Sequence, residues 1–167
     1  MTMKLRLPII SLAVSLAASL PAAAQEVVRH QPPGSTFPIA SAVEVPAGKT
    51  TVYVSGMVPP VVDDKADKAT PAAYGDTRTQ TVGVLKNIDK TLKGLGLGMG
   101  NVVKMQAFLV GDQAKGGRMD FAGFMEGYKE FFGTAEQPNL PSRSVMQVAG
   151  LVSPGWLVEI EVTAVRP

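Results

Sequence analysis

The sequence predicts an α+β fold in which two helices pack on one face of a β-sheet. Several short segments alternate apolar and polar residues, as a half-buried strand does, and residues 158–162, Val-Glu-Ile-Glu-Val, show this pattern most clearly. Two longer segments, 77–92 and 118–132, instead carry apolar residues at helical spacing. The elements follow one another in the order β-β-α-β-α-β-β, and this mixed order is typical of the α+β class.

Two strands are predicted near the start of the domain. The first covers residues 41–45 and is ended by the Pro-Ala-Gly at 46–48. The second covers residues 50–55, which are mostly β-branched or aromatic, and it ends at Gly56. Residues 25–37 are polar and contain a Pro-Pro-Gly run, so they predict an irregular lead-in.

The first helix is predicted to begin at Asp76 or Thr77 and to run to about residue 92. Lysines occupy its polar face, which we interpret as a solvated helix back rather than a nucleic-acid surface. Residues 59–75 before it predict a long loop, and loops of this length are usually lids or mobile segments. The alternating glycines of 94–100 lack the setting of a nucleotide-binding motif, so they predict a helix stop and a connector.

The second half of the chain supplies the other elements of the sheet. A strand at Val102–Val110 is followed by a helix at 118–132, and the final strands cover Ser142–Val148 and 156–165. The helix carries a stripe of aromatic residues, which predicts core packing rather than a cofactor site. Because the two helices cover only one face of the sheet, burial of the other face by oligomerisation is the simplest arrangement.

The first 24 residues predict a secretory signal peptide. Lys4 and Arg6 form a basic start, residues 7–20 are almost wholly apolar, and residues 22–24 are all alanine, which suits signal peptidase. The apolar run is shorter than the about 20 residues of a membrane span, so cleavage after the alanines is favoured over a retained anchor. The mature chain, 25–167, is then expected to be a single domain that is periplasmic or secreted and free of the membrane.

Composition excludes several classes of function. The chain has 16 Lys+Arg and 14 Asp+Glu, and removal of the two basic residues of the signal leaves 14 of each. A neutral mature chain does not favour binding to nucleic acid or to anionic membranes. There is no cysteine, and His30 in the lead-in is the one histidine, so we expect no disulfide, no metal, no cofactor and no serine–histidine–aspartate triad.

The most informative charged residues lie in the last third of the chain. Arg143 follows a proline at the head of an extended run, and Glu159 and Glu161 share one face of the final strand. A guanidinium and a carboxylate near one sheet are suited to bind an anion and to handle water. A solvated sheet face with an ordinary surface arginine is the alternative, since spacing alone does not show that the two charges converge.

One ordered series of residues runs from position 54 to position 166. It comprises Val54, Ser55, Gly56, Gln80, Leu85, Asn87, Gly96, Leu97, residues 101–104 and 107–109, Phe121, Tyr128, Phe131, Phe132, Pro141, Arg143, Ser144 and residues 159–161. Taken together, the series resembles the reactive intermediate deaminase family (RidA, formerly YjgF). The resemblance covers about the last 120 residues.

The resemblance implies a chorismate mutase-like α+β fold and a homotrimer whose sheets meet around a central barrel. It also implies an active site between neighbouring subunits. The expected reaction is hydrolytic deamination of small enamines or imines of 2-keto acids, which gives the keto acid and ammonia without a cofactor.

The resemblance also implies roles for individual residues. Arg143 matches the arginine that binds the substrate carboxylate, and Glu159 matches the glutamate that orients the attacking water. Val145 stands where the family usually has a cysteine that contributes main-chain groups, and Ser55 and Gly56 match small residues that line the pocket. We therefore expect Arg143 and Glu159 to be catalytic and the other three residues to bind substrate.

Three departures from the family pattern make the expected pocket more apolar. The family's Gly-Pro-Tyr-Ser is Phe-Pro-Ile-Ala at 37–40, so Ile39 lacks the tyrosine hydroxyl. Met57 stands in place of a glutamine, and Met125 stands in place of an asparagine. The departures predict either a bulkier substrate or a site in which catalysis is reduced and binding remains.

Three classes of function are compatible with these observations. The first is the imine or enamine hydrolase. The second is a non-catalytic binder of small carboxylates or of proteins that uses the same intersubunit cleft. The third is a ribonuclease, an activity also attributed to the family; export, the neutral mature chain and the lack of a well-placed histidine argue against it.

Overall fold

The computed structural model describes residues 26–167, so the predicted signal peptide and its cleavage point lie outside the described residues. The domain opens with a two-stranded antiparallel hairpin, β1 (Val28–His30) and β2 (Ala42–Glu44). This corrects two predictions: the lead-in contains a strand, and the strand predicted at 41–45 belongs to the hairpin rather than to the main sheet. Arg29 fastens the hairpin to the domain, because its guanidinium donates to three carbonyl oxygens of other segments, at Gly100, Val102 and Leu140.

The main sheet has four strands in the order β3-β6-β4-β5. Strand β3 covers Thr51–Met57, β4 covers Val102–Val110, β5 covers Ser142–Val148 and β6 covers Val158–Val165. The central strand β6 is antiparallel to both β3 and β4, whereas β5 is parallel to β4, so the sheet is mixed. Strands β3 and β5 are therefore the two edges of the sheet.

Two helices, α1 (Thr77–Gly94) and α2 (Phe121–Tyr128), pack on one face of this sheet. Helix α1 begins where predicted, because the Asp76 carboxylate accepts a hydrogen bond from the Thr79 amide at 2.8 Å. It ends in a Schellman motif, in which Gly96 has a φ of 71° and the Leu97 amide donates to the Leu92 carbonyl. The predicted α+β class and the glycine stop are confirmed.

Helix α2 is shorter than the predicted span of 118–132. Its first turn is capped by Asp120, whose carboxylate accepts from the Gly123 amide, so the helix cannot extend to Arg118. Arg118 instead pairs with Asp112 in an isolated β-bridge. Phe124, Tyr128 and Phe132 form a continuous stack, with ring centroids 6.0 and 4.8 Å apart, and all three are buried in the core as predicted.

The core lies between the helices and the inner face of the sheet. That face presents alternate residues of β4 and β6, so every second residue of these strands is buried. The opposite face, which we call the open face, presents the other residues of β4 and β6, among them Gln106, Phe108 and Glu161. Tyr53 on β3 also lies on the open face, and its side chain is 82% exposed.

The loop at 59–75, predicted to be a lid or a mobile segment, is docked on the domain by hydrogen bonds and an aromatic contact. The amides of Val62 and Asp63 both donate to the Ala73 carbonyl and close the loop at its neck. Further along, the Lys68 carbonyl accepts from the Ser153 hydroxyl. The buried Tyr74 side chain ends the loop and meets the Trp156 ring edge to face.

Gln80 on α1 joins the loop, the helix and the β5–β6 connection through three hydrogen bonds, two of them buried. Its amide nitrogen donates to the carbonyls of Gly75 and Gly155, and its amide oxygen accepts from the Leu157 amide at 2.7 Å. The Gln80 side chain is completely buried, and it is the hydrogen-bond partner of these three backbone groups.

We expect Gln80→Ala to lower the free energy of unfolding by about 3 kcal/mol, because it leaves two buried backbone groups and one partly buried carbonyl unpaired. Chemical denaturation monitored by circular dichroism measures the change. The matched control is Gln113→Ala at an exposed position, which should change the free energy by less than about 0.5 kcal/mol. Equal effects of the two substitutions would contradict the role assigned to Gln80.

Within residues 26–167, no helix is both long enough and apolar enough to cross a membrane.

Candidate functional site

Arg143 lies on the edge strand β5 and points to the helix side of the sheet. It is in register with Met105 of β4, whose side chain belongs to the buried core. The edge next to it is partly covered by the segment that precedes β2, because Ala40 forms a parallel bridge with Ser142. The side chain is thus enclosed by β5, helix α2 and the segment around Phe37.

Four side chains surround the guanidinium, and we call this group with Arg143 the arginine cage. The ring centroids of Tyr128, Phe124 and Phe37 lie 4.1, 5.2 and 5.7 Å from the Arg143 Cζ atom. Nη2 donates to the Met125 sulfur at 3.1 Å, a weak acceptor. Nη1 is buried and has no hydrogen-bond partner among the described residues, and no carboxylate of residues 26–167 forms an ion pair with Arg143.

The cage perturbs both of its titratable members. Burial lowers the pKa of Arg143, and the nearby Tyr128 partly offsets this effect. Burial raises the pKa of Tyr128 to about 12, against the opposing influence of the guanidinium. Arg143 is a cation, because a guanidinium is not deprotonated in proteins, and Tyr128 with its raised pKa is a neutral phenol at physiological pH. The cage therefore holds an uncompensated positive charge in surroundings of low polarity.

A β-bulge in β3 shapes the surroundings of Glu159. The register shifts between Val54 and Met57, so that Ser55 and Gly56 together occupy the space of one residue opposite β6. The Glu159 carboxylate lies directly against the Gly56 backbone, and a methyl group at position 56 would overlap it. A side chain at position 56 would therefore displace the glutamate, and the φ of Gly56 is not in the left-handed region.

The two glutamates of β6 differ in their partners. Glu161 accepts a hydrogen bond from the Gln106 amide at 2.7 Å. Glu159 has no hydrogen bond or ion pair with another residue in the 26–167 range. The Glu159 carboxylate therefore has all of its acceptor sites available to a water molecule, whereas one Glu161 oxygen is already bonded.

Within one chain, Arg143 and Glu159 lie on opposite faces of the sheet. Arg143 is in register with Met105 on the inner face, whereas Glu159 is in register with Phe108, three residues along β4 and on the open face. Two strand spacings and three residues of rise separate their Cα atoms by about 14 Å. A single chain therefore cannot place both side chains on one small substrate.

The other predicted site residues divide between the same two regions. Val145 is on the same face of β5 as Arg143 and packs against the core. Ser55 lines a concavity of about 320 Å³ on the open face, together with Tyr53, Lys104, Gln106, Glu161 and Thr163. The structure thus groups Arg143 with Val145 at one edge of the sheet, and Ser55 with Gly56 and Glu159 towards the other edge.

The three departures from the family pattern also fall in these regions. Met125 contacts the guanidinium directly. Ile39 lies in the segment that leads to the Ala40 bridge, and Met57 follows the β3 bulge. From the sequence, Phe124 and Tyr128 were predicted to be core residues and Phe37 was given no role. No local sequence pattern indicates that these three rings surround one arginine.

Two further predictions concern histidine and metals. His30 is a strand residue of β1 rather than part of a flexible tail, and its Nε2 atom lies 2.7 Å from the Glu44 carboxylate. In residues 26–167 there is no group of three or more histidine, cysteine, aspartate or glutamate side chains that could hold a metal ion.

Gly56→Ala should reduce turnover of the substrate of this site by about 10-fold or more while leaving the fold intact. The added methyl group displaces the Glu159 carboxylate, which is the end of a flexible side chain and can move at small cost to stability. Steady-state kinetics and thermal melting together measure the two effects. Gly98→Ala is the matched control, since a methyl group there meets no atom within 4 Å. A loss of activity matched by Gly98→Ala would contradict the role of Gly56.

The sequence of the chain is similar to those of known proteins. Residues 35–166 match the protein family described as Endoribonuclease L-PSP. The chain is 34% identical over 116 residues to the rat (Rattus norvegicus) protein named 2-iminobutanoate/2-iminopropanoate deaminase, a match that covers 70% of this chain and 73% of the relative. It is 31% identical over 134 residues to TdcF of Escherichia coli strain K12, covering 80% and 91%.

Solved structures give the same picture for the fold. The structure of Escherichia coli TdcF with bound serine superposes with a TM-score of 0.53 at 29% identity, covering 86% of this chain and 99% of that one. The Escherichia coli YjgF gene product superposes with a TM-score of 0.54 at 29% identity, covering 81% and 93%. The similarity therefore extends over most of the chain.

Proposed function

The chain belongs to the Endoribonuclease L-PSP family, which includes the RidA/YjgF proteins, and on this premise we propose that it hydrolyses 2-imino and 2-enamino acids to 2-keto acids and ammonia. The observation that carries the proposal is the uncompensated guanidinium of the arginine cage. A buried cation without a counter-ion favours an anionic ligand, and a carboxylate matches the planar fork of arginine. The name of the rat relative supports the reaction type.

In the proposed reaction, Arg143 holds the substrate carboxylate and fixes the position of the adjacent C=N carbon. Glu159, whose carboxylate has no partner in residues 26–167, orients a water molecule and accepts its proton. The water oxygen forms a bond to the carbon, protons pass to the nitrogen, the C–N bond breaks, and ammonia leaves. The keto acid retains its carboxylate on Arg143 until release.

We propose that each site is built from two copies of the chain. Arg143 and Glu159 face away from each other within one chain, and they lie towards opposite edges of the sheet. Packing of the β5 edge of one copy, on its helix side, against the open face of the next copy near β3 would bring them together. The open face with its exposed Tyr53 would also be covered by assembly. The homotrimer implied by the family resemblance is the assembly that we propose, and light scattering should give about three times the chain mass.

Export is the second part of the proposal. The signal-like sequence at residues 1–24 indicates a mature protein that begins at Gln25 in the periplasm or outside the cell. N-terminal sequencing of the protein from a periplasmic extract tests this, and an uncleaved chain confined to the cytosol would contradict it.

The reaction is tested with imino acids made in situ from a panel of amino acids by an amino-acid oxidase. The expected result is faster release of ammonia than in the uncatalysed reaction when the purified protein is added. Hydrolysis at the uncatalysed rate for every member of the panel would contradict the proposal.

A non-catalytic carboxylate binder is the alternative that one observation favours. The arginine cage lies within a single chain and needs no glutamate to bind an anion, and its Nη2 atom is bonded to the Met125 sulfur, which is only a weak acceptor. Binding of keto acids without any hydrolysis of imino acids would select this alternative.

A further inference from the structure

We infer that the site selects substrates with bulky apolar side chains, aromatic ones above all, and that Phe37 is the residue that determines this specificity. The inference rests on the proposed function, because it concerns the ligand whose carboxylate binds Arg143. The proposed roles of Arg143 and Glu159 concern the substrate carboxylate and the attacking water. The inference concerns the remaining part of the substrate, its side chain.

The surroundings of the guanidinium are the first argument. Three aromatic rings lie within 5.7 Å of Cζ, and the remaining neighbour is a thioether. A carboxylate held in the arginine fork places its next carbon atoms about 4 to 6 Å from Cζ, which is the same range as the ring centroids. The substrate side chain therefore begins among aromatic surfaces, where an apolar group is favoured over a polar one.

The exposure of the three rings singles out Phe37. Phe124 and Tyr128 are 0% exposed and already packed in the core, whereas Phe37 is 43% exposed. Nη1 of Arg143 is sealed from solvent, so a ligand reaches the guanidinium past the ring that has room to move. Phe37 precedes Pro38 in a segment outside the helices and strands, and it replaces a glycine of the family motif.

The space beside Phe37 is the second argument. An open groove of about 680 Å³ lies next to the ring, between residues 34–38 and the end of helix α2. Its floor includes Phe132, a buried member of the aromatic stack. The groove is large enough for a phenyl or branched aliphatic side chain that extends past Phe37 from a carboxylate on Arg143, whereas a methyl group would not reach it.

The test measures binding of keto acids, which are stable analogues of the imino acids. Dissociation constants for pyruvate, 4-methyl-2-oxopentanoate and phenylpyruvate are determined by calorimetry with the purified protein. We expect phenylpyruvate to bind at least about 10-fold more tightly than pyruvate, from the contact with the Phe37 ring. Phe37→Ala should reduce this ratio to about threefold or less, mainly by weakening phenylpyruvate binding.

Phe121→Ala is the matched control, because Phe121 has similar exposure, 38%, but makes no cation–π contact with Arg143. It should leave the ratio unchanged. Equal binding of pyruvate and phenylpyruvate by the wild-type protein, or a ratio that Phe37→Ala does not alter, would overturn the inference while the proposed function stands. If no keto acid binds to the wild-type protein, the proposed function fails and the inference fails with it.

Discussion

Arg143→Ala should lower kcat/KM for an imino acid by about 30-fold or more. Truncation of one partner of a desolvated, charge-assisted pair typically costs about 2–5 kcal/mol, and the guanidinium of the arginine cage is buried, with Nη1 unpaired and Nη2 bonded only to a weak sulfur acceptor. Arg143→Lys should recover only part of this loss, since an ammonium cannot form the two parallel hydrogen bonds of the guanidinium. Steady-state kinetics across a range of substrate concentrations measures both variants.

The fold should tolerate the loss of this arginine. Removal of a buried, unpaired charge relieves a desolvation cost, although it also leaves space among the three rings. We therefore expect the melting temperature to change little. Arg78→Ala is the matched control, because Arg78 lies on the surface and pairs with the exposed Glu130. Unchanged kinetics in Arg143→Ala, or equal losses in both variants, would show that the role assigned by family resemblance does not apply to this chain.

Mixed assemblies of two inactive variants should recover activity if each site uses two chains. Arg143→Ala and Glu159→Gln are unfolded, combined in equal amounts and refolded together. In a random mixture, an intact arginine meets an intact glutamate of another chain at about a quarter of the sites. Activity should therefore rise to about a quarter of the wild-type value, far above either variant alone.

The geometry supplies the reason for this expectation. Arg143 and Glu159 point to opposite faces of one sheet, so the two can act on one substrate only from different copies. Glu159→Gln alone should lower kcat by about 100-fold or more, as loss of a general base does, while keto-acid binding to Arg143 persists. Glu161→Gln is the matched control on the same strand and face, because its carboxylate is already bonded to Gln106.

Three controls define the outcome of the mixing experiment. Each variant refolded alone, and the two mixed without unfolding, should remain at the level of the single variants. Mixed refolding of Arg143→Ala with Glu161→Gln should give about half of the wild-type sites, because Glu159 is intact in both chains and Arg143 in only one. If the joint refolding of Arg143→Ala and Glu159→Gln recovers nothing although the subunits exchange, the two residues do not act from different chains.

Local sequence determined the parts of this protein that depend on neighbouring residues. The Asp76 cap, the stop at Gly96 and the alternation along β6 involve contacts a few positions apart, and each lies where the sequence predicted it. The end of α2 was misplaced because the aromatic stripe continues past Tyr128 with Phe132, which packs in the core from a turn. The spacing of apolar residues indicates which residues are buried, and here the buried residues continue beyond the end of the helix.

The tertiary structure alone decided how the charged residues are placed. Arg143 was identifiable from its motif, but its surroundings come from three segments far apart in the chain, at Phe37, helix α2 and β5. The separation of Arg143 from Glu159 follows from the register of β5 and β6 against β4, and a shift of one residue would exchange the faces. Period-2 alternation fixes which residues of one strand share a face. Only pairing between strands fixes which faces and edges coincide, because that pairing depends on packing across the whole sheet.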